Sequence, residues 1–168
     1  MTDHRLTKLF EHNNWANERI ISACQELSVE QLDVTPASAT VGSIREALLH
    51  LVAAQAGYLR LLTRPLEERL EPYPYPPFEQ LSQLAQNSGA ALLALVQDEA
   101  GLAGIGKIQT RNQYLVEPWV VLLQVINHAT EHREQVKSML SALGITPPEI
   151  DAWDFGLFTG ALVPVGNQ

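Results

Sequence analysis

The segment most informative about the fold lies near the C-terminal end of the chain, where residues 118–144 read PWVVLLQVINHATEHREQVKSMLSALG. Its apolar residues recur every three or four positions, which predicts one long amphipathic helix. Pro118 suits the first turn of that helix, and Gly144, with two prolines soon after it, suits its end. The face that this periodicity defines consists of Val121, Val125, His128, His132, Val136, Met139 and Leu143.

Three upstream segments show the same periodicity, at about residues 4–27, 43–64 and 78–98. The second begins with a capping box made by Ser43 and Glu46, and it is apolar on nearly all sides, as is typical of a buried helix. The third contains Gly89, which we interpret as a tolerated imperfection. In the first, Asn13 and Asn17 lie on the apolar face, so both amides need partners inside the protein.

Four amphipathic helices of about 20 residues close most simply into a bundle, so the sequence predicts an all-α four-helix fold. Residues 1–168 are expected to form a single domain, and the middle connections are long enough to cross the bundle. Several shorter features are predicted between and after the helices: a helical turn capped by Ser28 and Gln31, an extended proline-rich strap at 71–77, a glycine-rich break at 101–106, a short extended pair within 107–116 and an irregular tail over 156–168.

Composition excludes several classes of function. The chain carries 11 basic and 19 acidic residues, for a net charge of −8, and this balance disfavours nucleic acid and anionic membranes as partners. No apolar run approaches the length of about 20 residues that a membrane-spanning helix needs. The N-terminus lacks the layout of a secretory signal, and one cysteine cannot form an internal disulfide, so a cytoplasmic location is expected.

Three histidines are the candidates for chemistry. His128 and His132 are four residues apart on the apolar face of the last helix, a spacing that lets both imidazoles reach one metal ion. His50 lies in the most apolar helix, between two leucines. This pattern fits two interpretations: the three histidines bind a metal, or each is a core residue hydrogen-bonded within the protein. His4 and His12 lack such surroundings and are expected to be solvated, while Cys24 is expected to be a small core residue.

The sequence resembles the DinB/YfiT-like superfamily over most of its length. The resemblance is strongest in residues 14–17, 42–51 and 127–135 and continues through Leu143-Gly144, Pro147-Pro148 and Asp151. It implies a four-helix bundle with up-down-down-up connectivity, often homodimeric, that binds a divalent metal through three histidines. Carried onto this sequence, the implied metal ligands are His50, His128 and His132.

The resemblance also sets expectations for activity. Zinc or nickel is implied as the metal, with iron as a further option, because imidazole suits all three. Relatives that use low-molecular-weight thiols imply a thiol cofactor and transfer of that thiol to an electrophilic small molecule. Members often have a glutamate where this chain has Gln55, which disfavours the alternative of a metal-dependent hydrolase. A non-catalytic, metal-binding stress-response protein is the third possibility. Glu131 is expected to be solvated rather than to support a ligand.

Overall fold

Four long helices form the core of the protein in a computed structural model, which describes residues 4–36, 42–70 and 74–165. These helices are α1 (His4–Gln25), α3 (Ile44–Thr63), α5 (Leu81–Gln97) and α7 (Pro118–Ala142). The predicted ends of α3 and α7 are confirmed. The Ser43 hydroxyl accepts from the backbone N–H of Glu46 while the Glu46 side chain accepts from that of Ser43, and Gly144 adopts a left-handed conformation with φ of +74° after α7.

The connectivity of the bundle follows from its two apolar clusters. One cluster joins the C-terminal halves of α1 and α7 to the N-terminal halves of α3 and α5. The other joins the opposite halves of the same helices. Helices α1 and α7 therefore run in one direction, and α3 and α5 run in the other, which confirms the all-α bundle with up-down-down-up order. Helix α3 packs against both α5 and α7, and α1 packs against both as well.

A polar layer separates the two apolar clusters. The Arg133 guanidinium, 3% exposed, donates to the Oδ1 atoms of Asn13 and Asn17 at 2.8 and 2.7 Å, and to the Thr130 hydroxyl. Asn17 in turn donates to Oε1 of Gln55 at 2.8 Å. The predicted need of the two asparagines for interior partners is confirmed, and the layer ties α1 to α3 and α7.

The shorter elements confirm some predictions and correct others. The capped turn is α2 (Val29–Asp33), and the extended pair is an antiparallel hairpin of β1 (Ile108–Gln109) and β2 (Leu115–Val116). Two short helices between the long ones were not predicted, α4 (Leu66–Leu70) and α6 (Glu99–Ala103). Helix α6 corrects the expected break at 101–106, because Asp98 caps it by accepting from the Gly101 N–H. Residues 74–77 of the strap lack regular secondary structure, and residues 71–73 lie outside the described part.

The C-terminal tail is corrected as well, because it is not irregular throughout. Residues Ala152–Thr159 form helix α8. The Asp151 carboxylate accepts from the N–H groups of Trp153 and Asp154 at the start of this helix, and Gly160 ends it at φ of +73°. Phe155 then packs its ring against His12 and Trp15 on α1. Residues 166–168 lie outside the described part.

Gly89 is more than a tolerated imperfection. It is buried where α5 crosses α1, and a β-carbon at this position would lie 2.6 Å from Oδ1 of Asn14. The absence of a side chain therefore allows the two helices to approach closely. None of the helices in the described ranges is both long enough and apolar enough to cross a membrane.

Candidate metal centre

The three predicted histidines meet at one point, on the side of the bundle where α3 packs against α7. The Nε2 atom of His128 lies 3.1 Å from Nε2 of His50 and 3.2 Å from Nε2 of His132. One nitrogen from each of the three rings falls within 4.8 Å of the others. His132 is buried, whereas His50 and His128 are half-buried, so the cluster reaches from the core to the surface.

Local helical geometry explains how the residues meet. His128 and His132 lie one turn apart on α7, so their rings meet edge-to-face with centroids 4.4 Å apart. Helix α3 lies antiparallel against this face and brings His50 to within 5.0 and 4.7 Å of the two rings. The spacing on one helix therefore places two imidazoles, and the packing of a second helix supplies the third.

Hydrogen bonding fixes which nitrogens face the centre. The Oε1 atom of Gln135 is an acceptor 2.8 Å from Nδ1 of His132, so Nδ1 carries the proton and Nε2 keeps its lone pair. On the other side, Nδ1 of His50 lies 3.1 Å from the hydroxyl of Tyr75, which comes from the proline-rich strap. Support of the outer ring nitrogen by a fixed polar group is typical of histidines that bind metals.

The donor set fits a divalent cation. Two imidazoles bound to zinc at about 2.05 Å with tetrahedral angles have nitrogens roughly 3.3 Å apart. The 3.1 and 3.2 Å separations of the Nε2 atoms are close to that value. Without a cation, three imidazoles that share one meeting point cannot all be satisfied, because one N–H can donate to only one neighbouring lone pair at good geometry. The cluster therefore could hold a metal ion through three neutral nitrogens.

The electrostatics of the cluster favour the neutral, metal-binding form of the rings. Burial, together with the smaller effects of neighbouring His132 and His50, lowers the pKa of His128 to about 4. Burial, followed by His132, also lowers the pKa of His50. At neutral pH both rings are therefore available as ligands rather than protonated.

A cleft of about 390 Å³ opens beside His50. Tyr58 stands on its wall with its ring edge-to-face on His128, the centroids being 5.7 Å apart. Burial raises the pKa of the Tyr58 hydroxyl, which therefore keeps its proton at neutral pH. A cleft of this size falls in the range used for small ligands, and His50 is the member of the histidine cluster that lines it.

Other candidate residues lie away from the cluster. Cys24 is buried, and burial raises the pKa of its thiol to about 12, which confirms a core role. The prediction that His12 is solvated is wrong, because its Nε2 atom bonds the Ile150 carbonyl at 3.0 Å. The side chain of His4 lies outside the described residues. Glu131 is exposed, as expected.

Several residues of the site could not be singled out from the sequence. Gln135 offered a usable signal, since it follows His132 by three residues on the same helix. The sequence offers no such signal for the two tyrosines. Tyr75 reaches His50 from a segment with no periodicity, and Tyr58 lies two turns beyond His50 on the same helix. The partners of Arg133 could not be identified from the sequence either, because the two asparagines on α1 are more than 110 positions away from it.

The fold and the site together define an all-α bundle protein with a three-histidine cluster suited to a divalent metal. The model of the DinB family matches residues 1–158, and the chain belongs to that family. Protein DinB of Bacillus subtilis (strain 168) is 24% identical over 164 residues, covering 90% of this chain and 91% of that protein. A crystal structure from Exiguobacterium sibiricum 255-15, described as a candidate DinB-family member, superposes with a TM-score of 0.66 at 22% identity, covering 86% of this chain and 94% of the other, and supports the fold.

Proposed function

We propose that this chain is a metal-dependent enzyme that transfers a low-molecular-weight thiol to an electrophilic small molecule. The observation that carries the proposal is the convergence of the Nε2 atoms of His50, His128 and His132, with His50 lining an open cleft. A divalent ion held by three histidines keeps an open coordination position and would lower the pKa of a thiol bound there. Zinc or nickel suits the donors, and iron remains an option.

The surrounding side chains have distinct tasks in this proposal. Gln135 and Tyr75 orient His132 and His50 through the outer ring nitrogens. Tyr58, which stays protonated, offers a hydrogen-bond donor on the cleft wall next to His128. The nucleophilic sulfur comes from outside the chain, because the one cysteine is buried and its thiol is hard to ionise.

Metal-dependent hydrolysis is the less favoured enzymatic alternative. It needs a general base close to the metal, and the position where a carboxylate is common holds Gln55. That amide is 3% exposed and donates to Ser88 and to the Ala85 carbonyl, so it belongs to the interior network rather than to the cleft. A non-catalytic stress-response role would suit a closed metal site better than one beside a cleft of about 390 Å³.

Two measurements test the proposal. Elemental analysis of the protein purified without an affinity tag should find about one divalent metal per chain, and His50→Ala and His128→Ala should lose it. His12→Ala is the control, because His12 contacts the Ile150 carbonyl instead. The metal-loaded protein should then consume cysteine, glutathione or coenzyme A in the presence of monochlorobimane, and His128→Ala should not. Metal binding without any thiol consumption would favour the non-catalytic role.

We also propose that the protein is a homodimer, as its family resemblance implies. Exposed apolar side chains lie together at the start of α7 and on the adjacent hairpin, at Tyr114, Leu115, Trp119 and Leu123. Trp119 and Leu123 are 63% and 51% exposed and one helical turn apart. Sedimentation velocity should show a dimer that Trp119→Lys dissociates, and a monomeric wild-type protein would refute this assembly.

A further inference from the structure

The cleft beside His50 has an unusual distribution of charge. Three of the 11 basic residues of the chain line it, namely Arg60, Arg69 and Arg111. None of its lining residues in the described part of the chain is an aspartate or glutamate. Because the protein as a whole carries a net charge of −8, this local excess of positive charge is not a reflection of average composition.

Arg69 and Arg60 are positioned by hydrogen bonds around α4, a short helix outside the four-helix core. Arg69 is on α4, and its guanidinium donates to the backbone carbonyl of Arg64. Arg60, on α3, donates to the carbonyl of Glu68 and so helps to hold α4 against α3. The bond that Arg69 makes is to a neutral oxygen, and such a bond positions a guanidinium without cancelling its charge.

Arg111 lies on a different element, the turn that joins β1 to β2. The Thr110 N–H donates to the Tyr114 carbonyl at 2.8 Å, and the Thr110 hydroxyl accepts from the Tyr114 N–H at 3.1 Å. Gln113 closes the turn with a left-handed φ of 62°. The turn is therefore internally bonded, and it presents Arg111 to the same cleft that Arg69 enters from α4.

We propose that Arg69 and Arg111, with Arg60, form a subsite for the anionic head group of a small organic molecule whose other end reaches the three histidines. The head group is a carboxylate or a phosphate, the two anions that guanidinium groups recognise best. The cleft, at about 390 Å³, lies near the lower limit for ligand pockets, which favours a small metabolite over a peptide. This inference rests on the proposed function and narrows it by assigning a charge to the substrate or the thiol.

The position of His50 supports this arrangement. His50 and the arginines line one cleft, so a bound anion lies beside the cluster rather than on a separate face. Tyr75 contributes to the same wall and contacts His50 through its hydroxyl. A molecule anchored by its anionic end would therefore have its reactive end restricted in position, which accelerates reaction by lowering the entropy cost of alignment.

Calorimetric titration of the zinc-loaded full-length protein tests the subsite. The probes are succinate, glycerol phosphate and neutral succinamide. One of the two anions should bind at least about tenfold more tightly than succinamide, and which one does so identifies the head group. We expect Arg69→Gln to weaken this binding about tenfold and Arg111→Gln about threefold, since the second residue is more exposed. Arg19→Gln, an exposed site on α1 outside the cleft, should leave it unchanged.

Further controls separate the possible outcomes. Arg69→Lys, which keeps the charge, should recover part of the affinity, and circular dichroism should show that each variant is folded. Anion binding that is equal in wild type, Arg69→Gln and Arg111→Gln would overturn the subsite, because it would place the anion on the metal alone. Arginine-dependent binding by a protein that takes up no metal would preserve the subsite and refute the proposed function instead.

Discussion

Two polar regions interrupt the apolar core of this bundle, and they differ in how their hydrogen bonds are used. In the polar layer around Arg133, a buried cation donates to Asn13, Asn17 and Thr130, so its charge is met by fixed dipoles. In the histidine cluster, three ring nitrogens converge, with Nε2 of His128 lying 3.1 Å from that of His50 and 3.2 Å from that of His132. Most polar atoms of the first region bond one another, whereas the second region could hold a cation from outside.

Burial matches this difference. Arg133 is 3% exposed, and burial lowers its pKa only to about 10, so it remains charged at neutral pH. His50 and His128 are half-buried, and His50 lines a cleft through which small molecules and ions can reach the cluster. A polar group that is enclosed and satisfied supports the fold, whereas one that is exposed and unsatisfied is available for binding.

The largest effect that separates the two regions should come from His128→Ala. Removing one of three ligands should cost metal binding roughly 3–4 kcal/mol, or about 10²–10³-fold in affinity. The stability of the metal-free protein should change little or rise, because a half-buried imidazole with a depressed pKa is removed. Competition with a chromophoric chelator measures the affinity. An affinity within threefold of wild type would remove His128 from the ligand set.

The second largest effect concerns the polar layer. Arg133→Met should lower the free energy of unfolding by about 3 kcal/mol, because Asn13 and Asn17 lose their buried donor. Urea denaturation of the metal-free protein measures this change. The neighbouring Glu134→Gln is the control, since Glu134 is exposed and its replacement should shift stability by less than about 0.5 kcal/mol. Equal stabilities of the two variants would mean that the layer contributes nothing to the fold.

A smaller effect should follow from the residue that orients His132. Gln135→Met keeps the size of the side chain but removes the acceptor for Nδ1, so metal affinity should fall about tenfold. Glu131→Gln, on the exposed side of the same helix, should change affinity less than about twofold. Equal metal affinities of the two variants would mean that the contact between Gln135 and His132 does not contribute to metal binding.

The smallest effect is a pH dependence of stability in the metal-free protein. The pKa of His128 is about 4 in the folded state and about 6.5 in the unfolded chain, so the unfolded state binds more protons between these values. The stability contributed by the neutral ring is complete above pH 6.5 and is lost as the pH falls towards 4. Because the ring is half exposed to solvent, we expect the free energy of unfolding to fall by on the order of 1 kcal/mol over this pH range.

Urea titrations at several pH values between 7 and 4, compared with His128→Gln, isolate this contribution from the titration of carboxylates. The variant should show a shallower loss of stability over the same range, because its amide does not take up a proton. Parallel curves for wild type and variant would show that His128 has an ordinary pKa in the folded protein.

The four main helices and the three candidate histidines could be predicted from local patterns in the sequence. Capping signals such as Ser43 with Glu46, and breakers such as Gly144, act over three or four residues and can be read directly. The pairing of His128 with His132 is likewise a local property of one helix. The inward-facing asparagines could be recognised as needing partners, although the partners could not be named.

Which distant residues meet depends on the tertiary structure and could not be predicted from the sequence. Arg133 with Asn13, Asn14 against Gly89, and His50 with Tyr75 are contacts that depend on the packing of one element on another. Helices α4 and α8 also escaped prediction, because short helices depend on caps and tertiary contacts more than on periodicity. Arg69 and Arg111 line one cleft for the same reason: α4 and a hairpin turn both come to the cleft beside His50, and no local signal specifies that arrangement.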